Sequence, residues 1–313
     1  MITRLPVTSS VCYKLCAMAT DGLTTPPSDP WELVKANPTY RAGSLTDIEG
    51  RSIRWHSPSS IRSSQVFCIS AFGTLRQLPD GQEILRTLMT RHFEGIGLTG
   101  PWELTPEYYD RQVLDETGKA TPTSVDVFCR STSSVVCIES KFMADALDGF
   151  GSCSQVPKNC RGYYGPGSDI KTNTAANCRL EVPEGTRGAR SYWRRGKEFF
   201  QDNVFAAQSV DEICPFSGHN FQLMRNVLFA ACSGAGAWAA LAIVPDRVSA
   251  KVRQQASVFR EHVLRPEYRE RVSVATYEDL IVLLRASTFA QSNRLGEFLA
   301  ERIEHVCPPH AAS

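Results

Sequence analysis

Two short stretches dense in β-branched and aromatic residues, Ser124-Val-Asp-Val-Phe-Cys-Arg130 and Val135-Val-Cys-Ile-Glu-Ser-Lys-Phe142, carry charges where core strands should have none. The polar Ser131-Thr-Ser-Ser134 between them suits a hairpin connection. Side chains alternate faces along a strand, so Glu139 and Lys141 point the same way, and pairing of the strands brings Asp126 near that face. Carboxylates are disfavoured within strands, and a part-buried charge needs a partner or a metal. Two acids offer hard oxygen ligands of the kind Mg²⁺ takes alongside phosphate oxygens. A lysine beside them can orient or deprotonate water, or steady charge building on phosphate. The ordinary alternative is a solvent-facing edge with Glu139 and Lys141 as a solvated pair. Three charges alone favour that alternative, since short patterns recur by chance.

The surrounding residues shift the balance. Asp126, then Glu139-Ser140-Lys141 on the next strand, resembles the D…E-x-K signature of the PD-(D/E)xK nuclease superfamily. Val125 stands where that pattern often has proline, although Pro122 lies close by. Arg62-Ser-Ser-Gln-Val-Phe-Cys-Ile-Ser-Ala-Phe-Gly73 and Phe221-Gln-Leu-Met-Arg-Asn226 are similar to segments of a little-characterised bacterial group of restriction-endonuclease-like proteins. The resemblance implies an αβββαβ core with a mixed sheet flanked by helices. It also implies Mg²⁺ (replaceable by Mn²⁺) held by Asp126, Glu139 and the Ser140 backbone carbonyl, with Lys141 placing the attacking water. Gln222, on the helix after the motif, is implied to orient Lys141 or that water. DNA is the implied substrate.

The size permits such a core: 313 residues, 42% of them apolar. A net charge of +1 supplies no global field for nucleic acid, so DNA contact must come from a local basic patch. No apolar run reaches membrane-spanning length. The stretch from Met1 to Ala19 is interrupted by Lys14 and makes a poor secretory signal, and Met18 is a second candidate start. Eleven cysteines, an odd number without dense regular spacing, fit a reducing bacterial cytoplasm.

Along the chain, residues 1–60 read as an irregular arm rich in Pro, Ser and Thr after position 20. Residues 61–313 read as one nuclease-like domain. A helix is expected over 81–94, with Asp80 and Glu83 at capping-box spacing and Ile84, Leu85, Leu88 and Met89 as its apolar face. Strands are expected over 108–114, 124–130 and 135–142. An irregular Gly-, Asn- and Cys-bearing insertion follows over about 148–188. A basic-aromatic helix is expected over 188–203, then a helix from an N-cap at Ser217 through Cys232 and a buried strand over 237–244. A helix over 248–264, a strand over 271–275 and two more helices to about 305 complete the expectation.

Other candidates have competing explanations. Glu83 serves as a cap more readily than as an added ligand. By spacing alone, Gln222 and Arg225 fit a solvent-facing stripe as well as a site. Arg187, Arg190, Trp193, Arg194, Arg195 and Lys197 form the densest basic-aromatic cluster; with Arg225 they are the candidates for phosphate contact and, at Trp193, base stacking. Cys153, Cys160, Cys178 and Cys214 could hold Zn²⁺ or an iron–sulfur cluster. They lack a C-x₂-C pair, and free cysteines are the simpler account. His56, His92 and His219 come without a G-x-S-x-G elbow, and no phosphate-binding loop of the G-x-x-x-x-G-K-[ST] kind is present. The resulting expectation is a Mg²⁺-dependent DNA endonuclease, dimeric if both strands of a duplex are cut. The alternatives are a catalytically silent nucleic-acid binder of the same fold and a zinc-stabilised interaction protein.

Overall fold

The computed structural model describes residues 64–118, 122–142, 149–151, 153, 180–182, 189–205, 215–218 and 220–306. At its centre are two strands with almost no exposed residue, β3 (Ser134–Ser140) and β4 (Ala237–Val244). They pair in parallel from Ser134↔Ala237 to Ser140↔Ile243. Strands buried on both faces read as continuous apolar runs, as VVCI and AWAALAIV do. Outside them lie β2 (Ser124–Arg130) and the edge strand β1 (Glu103–Tyr109), both antiparallel, and on the other side β5 (Val272–Thr276), parallel to β4. The result is a mixed five-stranded sheet in the order β1-β2-β3-β4-β5.

Helices cover both faces. On one lie α1 (Ser64–Cys68, continued by a wider turn over Ile69–Gly73), α2 (Gly81–His92), α5 (Tyr277–Arg285) and α6 (Ala290–Val306). On the other lie α3 (Phe221–Cys232) and α4 (Asp246–His262), joined by the buried rings of Trp193, Phe200 and Phe216. Alternation along β3 sends Val135 and Cys137 to the α3 side and Val136 and Ile138 to the α1 side. Among the described residues no helix is long and apolar enough to cross a membrane.

Several expected boundaries move. The first strand is 103–109, not 108–114: Pro106 is tolerated because β1 is an edge, and the Asp110 side chain accepts from the Gln112 N–H at 2.9 Å and turns the chain. The capping box at Asp80 and Glu83 does not form. Asp80 instead accepts from the hydroxyls of Ser287 and Ser292, and exposed Glu83 pairs with Arg86. A capping box does form at Thr276 and Asp279, opening α5. No continuous helix runs over 188–203. Arg190–Ser191 pairs with Glu181–Val182, Tyr192–Gly196 makes one short helix, and Phe200 bridges to Leu264, so tertiary pairing overrides the helical spacing. Ser217 lies in a separate turn, Pro215–Gly218, and α3 starts after Asn220, whose left-handed backbone (φ 64°) separates the two. The 1–60 arm and most of the 148–188 insertion lie outside the described residues.

Candidate active site

Strand alternation carries Glu139 to the α3 side of the sheet and Ser140 to the α1 side. Lys141 follows the strand, its N–H held by the Ile243 carbonyl at 2.9 Å, and its side chain returns to Glu139. Both charged residues are buried, Glu139 at 5% exposure and Lys141 at 4%. Lys141 Nζ lies 2.8 Å from Glu139 Oε1 and donates to Gln222 Oε1 at 2.6 Å. Asn226 Nδ2 donates to Glu139 Oε2 at 2.7 Å. Gln222 and Asn226 stand one turn apart on α3, which is why both reach the same pair. Asp126 joins from β2, where Oδ2 accepts the Ser140 N–H at 2.8 Å.

Ser140 is the hinge of this arrangement. Its hydroxyl meets the Tyr277 hydroxyl at 2.6 Å, and its carbonyl accepts from Ser64 Oγ at 2.9 Å. With the bond to Asp126, α1, β2 and α5 together fix the backbone between Glu139 and Lys141. On the opposite side, the chain at Phe150 and Gly151 closes over the start of α3: their carbonyls accept the N–H groups of Gln222 and Phe221 at 2.9 and 3.3 Å. Gly151 has φ +63°, and a Cβ there would lie 3.2 Å from Gln222 Oε1, the atom that holds Lys141.

The electrostatics are unbalanced. Burial, then the charges of Glu139 and Glu107, push the Asp126 carboxyl well above the usual aspartate range, against the pull of Lys141. Glu107 lies on β1 between the pairs Pro106↔Val127 and Tyr108↔Val125, hence opposite Asp126. Its backbone is left-handed (φ 51°). Burial lifts its carboxyl to about 7, opposed by a hydrogen bond from Gln65 and reinforced by Glu139. Three carboxylates thus share one neighbourhood with one ammonium.

The structure brings Asp126, Glu139, Lys141 and Gln222 together and leaves other candidates elsewhere. The Ser140 carbonyl already has a partner in Ser64. Trp193 is fully buried against Phe216, with ring centroids 5.2 Å apart, so a base-stacking role for it is set aside. Arg194 and Lys197 are exposed, Arg195 pairs with Asp115 at 2.9 Å, and Arg190 lies over the Tyr192 ring. Arg225 donates to the Ser124 carbonyl at 3.1 Å. Of the four candidate zinc ligands, Cys153 is buried and forms no disulfide; Cys160, Cys178 and Cys214 lie outside the described residues, as do Arg187, His56 and His219. His92 contacts Ser273 Oγ at 3.2 Å, on the far side of the sheet from α3. Among the described residues no three His, Cys, Asp or Glu side chains form a metal-holding group.

Two site residues escape the sequence reading. Asn226 is four positions after Gln222, a spacing that signals a shared helix face. Glu107 carries no local signal, because its place opposite Asp126 depends on the β1–β2 register.

A mixed five-stranded α/β sheet with flanking helices, an acid pair and a lysine at the end of its antiparallel strands is consistent with a restriction-endonuclease-like core. A family model described as restriction endonuclease associating with ARP matches residues 20–302, and the chain belongs to that family. No curated protein and no solved structure matches the chain.

Proposed function

We propose that this protein is a Mg²⁺-dependent endonuclease that hydrolyses phosphodiester bonds in DNA, with Asp126, Glu139 and Lys141 as its reacting centre. The observation that carries the proposal is the convergence of those three side chains, two of them buried, at one end of the sheet. The donor set fits a hard divalent cation: two carboxylates supply oxygen ligands, and negative charge exceeds positive there. When bound, such a cation supplies Lewis-acid polarisation of the scissile phosphate.

The chain's own residues do the rest. Glu139 and Asp126 fix where the phosphate must sit. The Lys141 ammonium, steadied by Gln222 Oε1, is bonded to Glu139 Oε1 at rest. Were Glu139 to hold a cation, that donor would be available to an attacking water or a phosphate oxygen. Ser64, Ser140 and Tyr277 hold the backbone so that this exchange moves side chains and leaves the strand in place. Arg194 and Lys197, with Arg190, Arg195 and Arg225, would supply phosphate contacts along a strand. Cutting both strands of a duplex calls for two such centres and hence a symmetric dimer.

Supercoiled plasmid tests the proposal. Wild type should nick it in Mg²⁺ or Mn²⁺ and fail in EDTA, while folded Asp126→Ala, Glu139→Ala and Lys141→Ala should fail throughout. Binding without metal-dependent cutting would favour a catalytically silent binder. Equal cutting by all four proteins would show that the assignment is wrong.

A further inference from the structure

We infer that Asn226 is a positioning residue for the proposed reaction: it pins one oxygen of Glu139 so that the other, the one facing Lys141, is presented for exchange. The inference rests on the nuclease reading above and deepens it.

Asn226 is 2% exposed in the middle of α3, surrounded along the helix by buried Leu223, Met224, Val227 and Leu228. A buried amide in such company is costly unless hydrogen-bonded, and its Nδ2 bond is to Glu139 Oε2 at 2.7 Å. The two α3 amides have opposite polarity toward the ion pair. Asn226 offers N–H, which suits only an acceptor and so an anionic Glu139; Gln222 offers its oxygen, which suits an ammonium.

The two bonds to Glu139 also differ in stiffness. Oε1 is held by Lys141, on a flexible four-carbon stem, whereas Oε2 is held by a short side chain on a packed helix. Exchange is therefore easiest at Oε1, and the carboxylate pivots about its bond to Asn226. A helix residue that served packing alone would be replaceable by leucine, which has the same branched shape without the donor.

The test uses the full chain and two variants that keep the branched shape of Asn226: Asn226→Leu, which has no donor, and Asn226→Asp, whose carboxyl donates only when protonated. Four quantities are measured: Mn²⁺ affinity by titration calorimetry, the half-saturating Mg²⁺ concentration and kcat for plasmid cleavage against pH, and Tm. Asn226→Leu should weaken Mn²⁺ binding about 10–100-fold, as loss of a partner behind a metal ligand does. Asn226→Asp should move its cleavage optimum to lower pH than wild type. If Asn226→Leu does not melt cooperatively, the pH profile of Asn226→Asp decides. Mn²⁺ affinity within twofold of wild type in the leucine variant, or an unmoved pH profile in the aspartate variant, would overturn the positioning role while leaving the nuclease reading intact. A wild-type chain that neither binds Mn²⁺ nor cuts would sink both.

Discussion

Among the described residues, the carboxylate clusters around Glu116 and around Glu139 are built on opposite plans. In one, a single acid is surrounded by donors. Glu116, 1% exposed, accepts from the Thr123 N–H at 2.6 Å, the Thr123 hydroxyl at 2.9 Å and the Tyr192 hydroxyl at 2.6 Å, with Arg190 Nε 4.0 Å away. In the other, Asp126, Glu139 and Glu107 crowd a single lysine, and two of the three acids are pushed above their ordinary range. The first cluster satisfies its charge and ties Glu116 and Thr123 to the start of the Tyr192–Gly196 helix. The second holds more acid groups than its surroundings favour in ionised form. A fold that satisfies one buried acid so fully has the means to satisfy another, and under the proposed function a bound cation would make good the shortfall beside β3.

The largest expected effect separates the two clusters by activity. Lys141→Ala and Glu139→Ala should lower cleavage per folded molecule about 10²–10⁴-fold. Glu116→Gln should leave cleavage per folded molecule unchanged. Rates scaled by the folded fraction, taken from circular dichroism, check this; a Glu116→Gln rate as low as that of Lys141→Ala would erase the distinction.

Stability should separate them in the reverse sense. Glu116→Ala strands the Thr123 N–H, leaving the Thr123 and Tyr192 hydroxyls only each other, and should cost about 1–3 kcal/mol by urea unfolding. Asp126→Asn removes a charge that the folded state disfavours, so in EDTA near neutral pH it should be at least as stable as wild type.

Glu107 sharpens the contrast through pH. Its folded carboxyl titrates near 7, above the ordinary value of 4.5, so its contribution favours folding fully below 4.5 and is lost as pH rises toward 7. In EDTA, wild type should lose on the order of 3 kcal/mol more stability across that window than Glu107→Gln. Parallel profiles for the two proteins would show that Glu107 is not confined as described.

Gly151→Ala should have a smaller effect. Its Cβ would meet Gln222 Oε1 at 3.2 Å on a backbone with φ +63°, costing roughly 1–2 kcal/mol and loosening the grip on Lys141. Smallest of all, exposed Arg194→Ala and Lys197→Ala should each flatten the salt dependence of DNA binding by about one unit of slope, without altering kcat.

What could be read beforehand follows the range of each interaction. β2, β3 and the Asp126–Glu139–Lys141 set were legible because alternation and hairpin spacing are local. β4 and α3 were legible from an apolar run and a helical period. The β1 boundary was not, because Pro106 reads as a strand breaker until the strand is known to be an edge. The 188–203 segment was misleading: its basic and aromatic residues fall at helical spacing, yet Phe200 is committed to a bridge with distant Leu264. Asp80 had the spacing of a cap and was claimed by serines more than two hundred positions away. Glu107 depends on register, and Asn226 resembles an ordinary buried amide until Glu139 is placed against it.

The most direct measurement of the central claim is a crystal structure with Mn²⁺, read by its anomalous signal. The account predicts a peak bonded to one oxygen each of Asp126 and Glu139, with Lys141 Nζ moved off Glu139 Oε1 while still bonded to Gln222. Mn²⁺ bound elsewhere, or Asp126, Glu139 and Lys141 found apart, would contradict it.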